Sequence, residues 1–261
     1  MDTSELDDLV LHVRAVFDSW NENTTLEEMR AGWESLFHGT KRVVGATAQK
    51  IESAEFEGDW IVAPEAEESR AIVYLHGGGY VIGSINSYRD MCERLSRAAK
   101  AAVLAVDYRL APEHPFPAAV EDSISAYRWV LARGIKPERI AIAGDSAGGA
   151  LTLAVMFLAK QEGYPMPACG VPISPWVDLE HTGETMVTMD AVEPMCHKAV
   201  LEGCARLYCQ TATSAIRWLR PFTATSGAFR PCSSPSEGTK RYLTMPTALS
   251  LWRRLPRFPS R

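Results

Sequence analysis

The chain has 261 residues, 46% of them hydrophobic and 23% charged, with a formal net charge of −5. That length suits one domain with a well-developed core, and that composition excludes a disordered polypeptide. No apolar run reaches the roughly 18 residues that cross a bilayer, and the acidic start Met1-Asp2-Thr3-Ser4-Glu5 lacks both parts of a secretory leader, so the expected location is the cytoplasm.

Residues 4–19 carry Leu6, Leu9, Val10, Val13, Val16 and Phe17 as an apolar stripe at helical spacing. A second helix is announced by Thr25 with Glu28 three residues on, the capping-box pattern. It carries Met29, Trp33 and Phe37 and stops near Gly39. Both helices are acidic rather than Lys/Arg-rich, which argues against a membrane-surface role. Apolar strands are then expected near 60–63, 71–75, 102–106, 139–143 and 169–173, separated by helices near 87–100, 117–133 and 147–161. Strands alternating with helices imply βαβ units, a mostly parallel sheet and right-handed crossovers.

Two of these junctions carry chemistry. The strand Ala71-Ile72-Val73-Tyr74-Leu75 ends in His76-Gly77-Gly78-Gly79-Tyr80, whose consecutive glycines present unobstructed N–H groups of the kind a developing oxyanion needs. The run Arg139 to Ala143 ends in Gly144-Asp145-Ser146-Ala147-Gly148-Gly149, and an alanine-rich helix follows at once. A strand, a Gly-x-Ser-x-Gly turn and a helix make a nucleophile elbow, with Ser146 exposed at its tip. Gly78, Gly79 and Ala147 are the expected oxyanion donors. Gly77, Gly144, Asp145 and Gly148 shape the two turns, and His76 braces the loop rather than acting as a base.

These residues resemble the hormone-sensitive-lipase-like, or GDXG, family of α/β-hydrolases. The resemblance includes Asp107-Tyr108-Arg109-Leu110-Ala111-Pro112-Glu113 and His114-Pro115-Phe116-Pro117-Ala118-Ala119, and it covers roughly residues 40 to 210. The family often has a histidine where this chain has Tyr88 or Arg89. The resemblance implies an N-terminal helical cap segment over 1–45, an α/β-hydrolase core over 46–210, and hydrolysis of short-chain carboxylic esters through an acyl-enzyme on Ser146. A lactone hydrolase is the alternative. No metal or organic cofactor is implied, and Cys92, Cys169, Cys196, Cys204, Cys209 and Cys232 lack Cys-x-x-Cys spacing. The expected partner is the small-molecule substrate, with a homodimer admitted and no nucleic acid or membrane span.

The pattern breaks after the elbow. A triad in this fold runs Ser, Asp/Glu, His, yet the histidines after Ser146 are His181 and His197, and no aspartate follows Asp190. Asp178 and His181 are read as surface polar residues on a connection, and the resemblance puts the catalytic histidine beyond the end of this chain. The triad acid and base are therefore unassigned, and the chain as written is expected to be inactive. Residues 211–261 hold eight arginines and one lysine against Glu237 alone. A shift of reading frame near the codon for Gln210 accounts for this. Read two bases late, Thr211 to Phe222 can encode Gly-Asp-Leu-Arg-Asp-Pro-Leu-Ala-Ser-Pro-Leu, and Thr239 to Pro246 can encode Glu-Ala-Leu-Leu-Asp-Asp-Ala, which resembles the family segment carrying the triad acid. Taken at face value, the chain is instead a non-catalytic binding protein with a poorly ordered basic tail, although that tail lacks the spacing of any nucleic-acid motif.

Overall fold

A strand covered on both faces reads as continuous apolar sequence, and Ala-Ala-Val-Leu-Ala-Val before Asp107 is such a run. The computed structural model describes residues 3–21 and 23–210, and places that run at the middle of a six-stranded sheet. The basic tail and its proposed frame shift lie outside the described residues. Two helices come first, α1 (Thr3–Phe17) and α2 (Leu26–Ser35). Thr25 caps α2 as expected: its hydroxyl accepts from the Glu28 N–H at 3.2 Å, and the Glu28 carboxylate accepts from the Thr25 N–H at 2.8 Å.

The alternating part follows as β1 (Thr47–Glu52), β2 (Glu57–Val62), β3 (Glu67–Leu75), α3 (Ile85–Ala99), β4 (Ala101–Asp107), α4 (Ala118–Ala132), β5 (Ile140–Asp145), α5 (Ala147–Glu162) and β6 (Cys169–Ile173). The strand order is β1-β2-β4-β3-β5-β6. β1 and β2 form an antiparallel edge, whereas β4, β3, β5 and β6 run parallel. Two further helices, α6 (Thr185–Thr188) and α7 (Lys198–Cys209), close the described chain.

Three elements escape the sequence reading. In β1, Ile51 alone is buried, so no alternation marks it. α6 is a single exposed turn. α7 buries Cys204, Ala205, Tyr208 and Cys209, and its stripe begins at Val200 and Leu201; that spacing was available as a helical signal.

Val73, Leu75, Leu104, Ile140 and Ile142 are fully buried in the sheet. α3 packs over β2 and β4, while α4 and α5 pack on each other and over β3 and β5. The site is set by one pairing: β3 and β5 are parallel neighbours with Leu75 opposite Gly144. The loop leaving β3 and the turn leaving β5 must therefore emerge side by side, at the carboxyl ends where open α/β sheets hold their ligands. Leu104 sits on β4 between β2 and β3, so Leu104→Ala should cost about 2–5 kcal/mol, read as a lower urea midpoint at unchanged slope.

Candidate active site

Ser146 follows the last residue of β5 and precedes the first of α5, with φ 52° and ψ −116°. A non-glycine residue in that region carries about 1–3 kcal/mol of strain, so surrounding contacts must hold it. Its N–H donates to the Ile173 carbonyl at 2.9 Å. Its carbonyl accepts from the N–H groups of Trp176 at 2.9 Å and Ala150 at 3.1 Å. Glycine is required on either side: a Cβ on Gly144 or on Gly148 would collide with the Leu75 carbonyl. Ser146 Oγ meets no hydrogen-bonding side chain among the described residues.

The glycine loop is built by its neighbours. Gly78, Gly79 and Tyr80 all have positive φ, at 112°, 61° and 63°, conformations that the two glycines adopt at little cost and the tyrosine does not. The Gly78 carbonyl accepts from Val81 and Ile82 N–H groups at 3.0 and 2.9 Å. The Gly77 N–H is taken up by Asp145 Oδ1 and the Tyr88 hydroxyl, both at 3.1 Å. By contrast, the N–H groups of Gly78, Gly79 and Ala147 donate to no described residue.

Asp145 ties the two turns together. Its Oδ1 accepts from the Tyr74 hydroxyl at 2.9 Å, and its Oδ2 from the Tyr88 hydroxyl at 2.7 Å. Burial and the adjacent carboxylate push both phenols well above their ordinary value, so they remain donors at any working pH. Tyr88 thus occupies a structural position in the site, while Arg89 turns away to pair with Asp59.

His76 lies beneath the loop and is 2% exposed. Its ring stacks on Tyr108 at 4.2 Å, its Nδ1 lies 2.7 Å from the Gly77 carbonyl, and Nε2 has no partner among the described residues. The Tyr108 hydroxyl donates to the His76 carbonyl at 2.8 Å. Through these contacts the His76 ring lies against the loop and makes no hydrogen bond to Ser146. The other segments singled out in sequence now have contacts: Arg109 pairs with buried Asp122, and Glu113 pairs with Arg30 of α2.

The remaining histidines are engaged elsewhere. His181 is 5% exposed, which corrects its reading as a surface residue: it stacks on Trp176 and accepts from the Trp176 Nε1–H at 3.2 Å. Asp178 turns its carboxylate to Thr182 and Glu180 N–H groups instead. His197 precedes α7 and lies 3.5 Å from Asp190. Sequence reasoning also missed Tyr74, Tyr108 and the contact of α7 with the loop. There, Tyr208 stacks on Tyr80 at 3.8 Å, and a Cβ on Gly79 would sit 2.9 Å from Cys204 Sγ and 3.8 Å from the Trp176 ring.

Comparison with known proteins gives a consistent picture. A family model described as the α/β-hydrolase fold matches residues 72–234. An acetyl-hydrolase of Streptomyces hygroscopicus is 45% identical over 150 residues, 58% of this chain and 50% of its own length. An ethyl acetate hydrolase of Pseudomonas putida is 44% identical over 113 residues, 41% of this chain and 36% of its own. The chain spans about half the length or less of these curated relatives. A crystal structure of an esterase from the bacterial hormone-sensitive lipase family superposes with a TM-score of 0.80 at 38% identity, covering 86% of this chain and 75% of that one.

Two outcomes follow from the geometry. Asp145→Asn keeps the shape but replaces an acceptor facing buried donors, and should cost about 1–3 kcal/mol in urea unfolding. Burial holds the His76 imidazole below its ordinary 6.5, and His181 is lowered by the same cause. As pH falls below 6.5 the unfolded chain takes up these protons first, so their stabilisation is complete above 6.5 and is lost on acidification. The midpoint of urea unfolding should therefore drop between pH 7.5 and 5, and less steeply in His76→Asn; an unchanged slope in the variant would remove His76 from the account.

Proposed function

Because the chain belongs to the hormone-sensitive-lipase-like family of α/β-hydrolases, we propose that its site is built for hydrolysis of short-chain carboxylic esters through an acyl-enzyme on Ser146. One observation carries the reading: a strained serine at the tip of an elbow stands beside a glycine loop whose Gly78 and Gly79 N–H groups, with that of Ala147, are left without described partners. Ser146 Oγ adds to the ester carbonyl, and these three N–H groups take the charge that develops on the carbonyl oxygen. α5 begins at Ala147, so the positive end of its dipole adds to the same place. Collapse breaks the bond to the alcohol, which leaves with a proton; water then hydrolyses the acyl-serine.

A base must accept the Ser146 proton, and none is assigned. His76 is sealed under Tyr108, His181 spends its Nε2 on Trp176, and His197 lies beside Asp190. Nucleophile and oxyanion donors without a base leave only residual acceleration. We take the acyl group to be small, since Cys204 and Trp176 lie close against Gly79 of the glycine loop. The names of the acetyl-hydrolase and the ethyl acetate hydrolase point the same way. We read α1 and α2 as part of a cap over this site.

Assays should use p-nitrophenyl esters with both the 261-residue chain and the product of the same gene read two bases late after Gln210. The second should be active, falling in rate from acetate to octanoate, and Ser146→Ala in it should lose on the order of a millionfold in kcat. The 261-residue chain should show a comparable deficit. Retention of most activity by Ser146→Ala would overturn the nucleophile assignment.

A further inference from the structure

We propose that Arg30, on the N-terminal helix α2, is a positioning residue of this site, acting through the loop that carries Gly78 and Gly79. The inference rests on the reading of that loop as the oxyanion donor. Arg30 lies far from Ser146 in sequence and was not singled out by any motif.

Its guanidinium reaches three residues in two segments at once. Nε donates to the Val81 carbonyl at 3.0 Å. Nη1 and Nη2 form a two-pronged pair with the Glu113 carboxylate at 2.7 and 2.8 Å, and Nη2 also donates to the Ala111 carbonyl at 3.2 Å. The Ala111 N–H in turn donates to the Tyr80 carbonyl at 2.9 Å. The two residues immediately after Gly79 thus have both carbonyls held from outside the loop, one by Arg30 and one by a residue that Arg30 holds. One turn further along α2, Glu34 Oε1 accepts from the hydroxyls of Ser84 and Ser87 at 2.9 and 3.0 Å. α2 therefore straps the loop at its exit and at the start of α3.

Magnitudes separate positioning from stability. The side chains of Arg30 and Glu113 are 31% and 50% exposed, and a pair so open to solvent adds little to stability. Fold stability is therefore a minor consequence. Orientation is the larger one: the carboxylate holds a planar fork so that its remaining N–H groups meet two carbonyls, a geometry that lysine's single ammonium does not reproduce. The glycines behind it have positive φ and no side chains to hold them. Displacing catalytic donors by about 1 Å costs on the order of a hundredfold in rate.

The test uses the full chain with Arg30→Ala, Arg30→Lys and Glu113→Gln. Amide hydrogen exchange of residues 77–83 should rise about tenfold in Arg30→Ala, with β4 and β5 unchanged, and by less in the other two. Unchanged loop exchange, or a rise shared equally by β4 and β5, overturns the proposal. In parallel, with the same substitutions in the product read two bases late after Gln210, phosphonylation of Ser146 by a p-nitrophenyl phosphonate should slow by about 10- to 100-fold in its limiting rate in Arg30→Ala, with half-saturation unchanged. A change in half-saturation alone overturns positioning. If that product without substitutions takes no phosphonate at Ser146, the nucleophile assignment fails, and loop exchange alone decides whether Arg30 orders these glycines.

Discussion

The carboxylate of Asp145 receives the Tyr74 hydroxyl, the Tyr88 hydroxyl and the Gly77 N–H, and these bonds join two loops that the sheet only brings near each other. Each donor is shielded from bulk water, and an orphaned donor there would cost about 1–3 kcal/mol. The arrangement is therefore close to all-or-none. Either the loop seats against the elbow with every donor satisfied, or several are stranded together. The neighbouring Ser146 conformation belongs to the same constraint: its strain persists because Ile173, Trp176 and Ala150 hold the backbone on one side and Asp145 fixes the chain on the other.

From that point a continuous run of rings carries the packing outward. Tyr108 stacks on His76, His76 lies against Tyr88, Tyr88 stacks on Trp33 of α2, and Trp33 meets Phe17 of α1 edge-on. The helices that come first in the chain thus rest, ring on ring, on the loop beneath the site. Aromatic pairs of this kind add about 0.5–1.5 kcal/mol each beyond their buried area. These contacts, and those of Arg30, connect the two N-terminal helices to the glycine loop.

The sequence made the scaffold legible because the signals there are periodic or sterically unique. β6 falls at 169–173 as read, and the central strands and helices fall within a few residues of expectation. Ser146 and the glycines were readable because few other residue patterns tolerate such turns. Tyr74 and Tyr88 were not, since a tyrosine in an apolar strand or on a helix face reads as core until its hydroxyl is seen to reach a carboxylate some 57 to 71 positions away. Arg30 was hidden for the same reason: a lone arginine on an acidic helix looks solvated. His181 shows the opposite error, a polar residue in a connection that Trp176 buries.

Gly148 lies so close to β3 that even a single carbon would strike the Leu75 and His76 carbonyls. Main chain bears directly on main chain there, with no side chain between as a shim. The height of Ser146 above the sheet is thereby referenced to a fixed backbone stop, independent of which apolar residues fill the layers around it. Substitutions in the core can alter how firmly the protein holds together while leaving the serine at the same elevation. Drift of the hydrophobic interior over evolutionary time is then uncoupled from the placement of the Ser146 hydroxyl, and only changes at the stop itself would shift both.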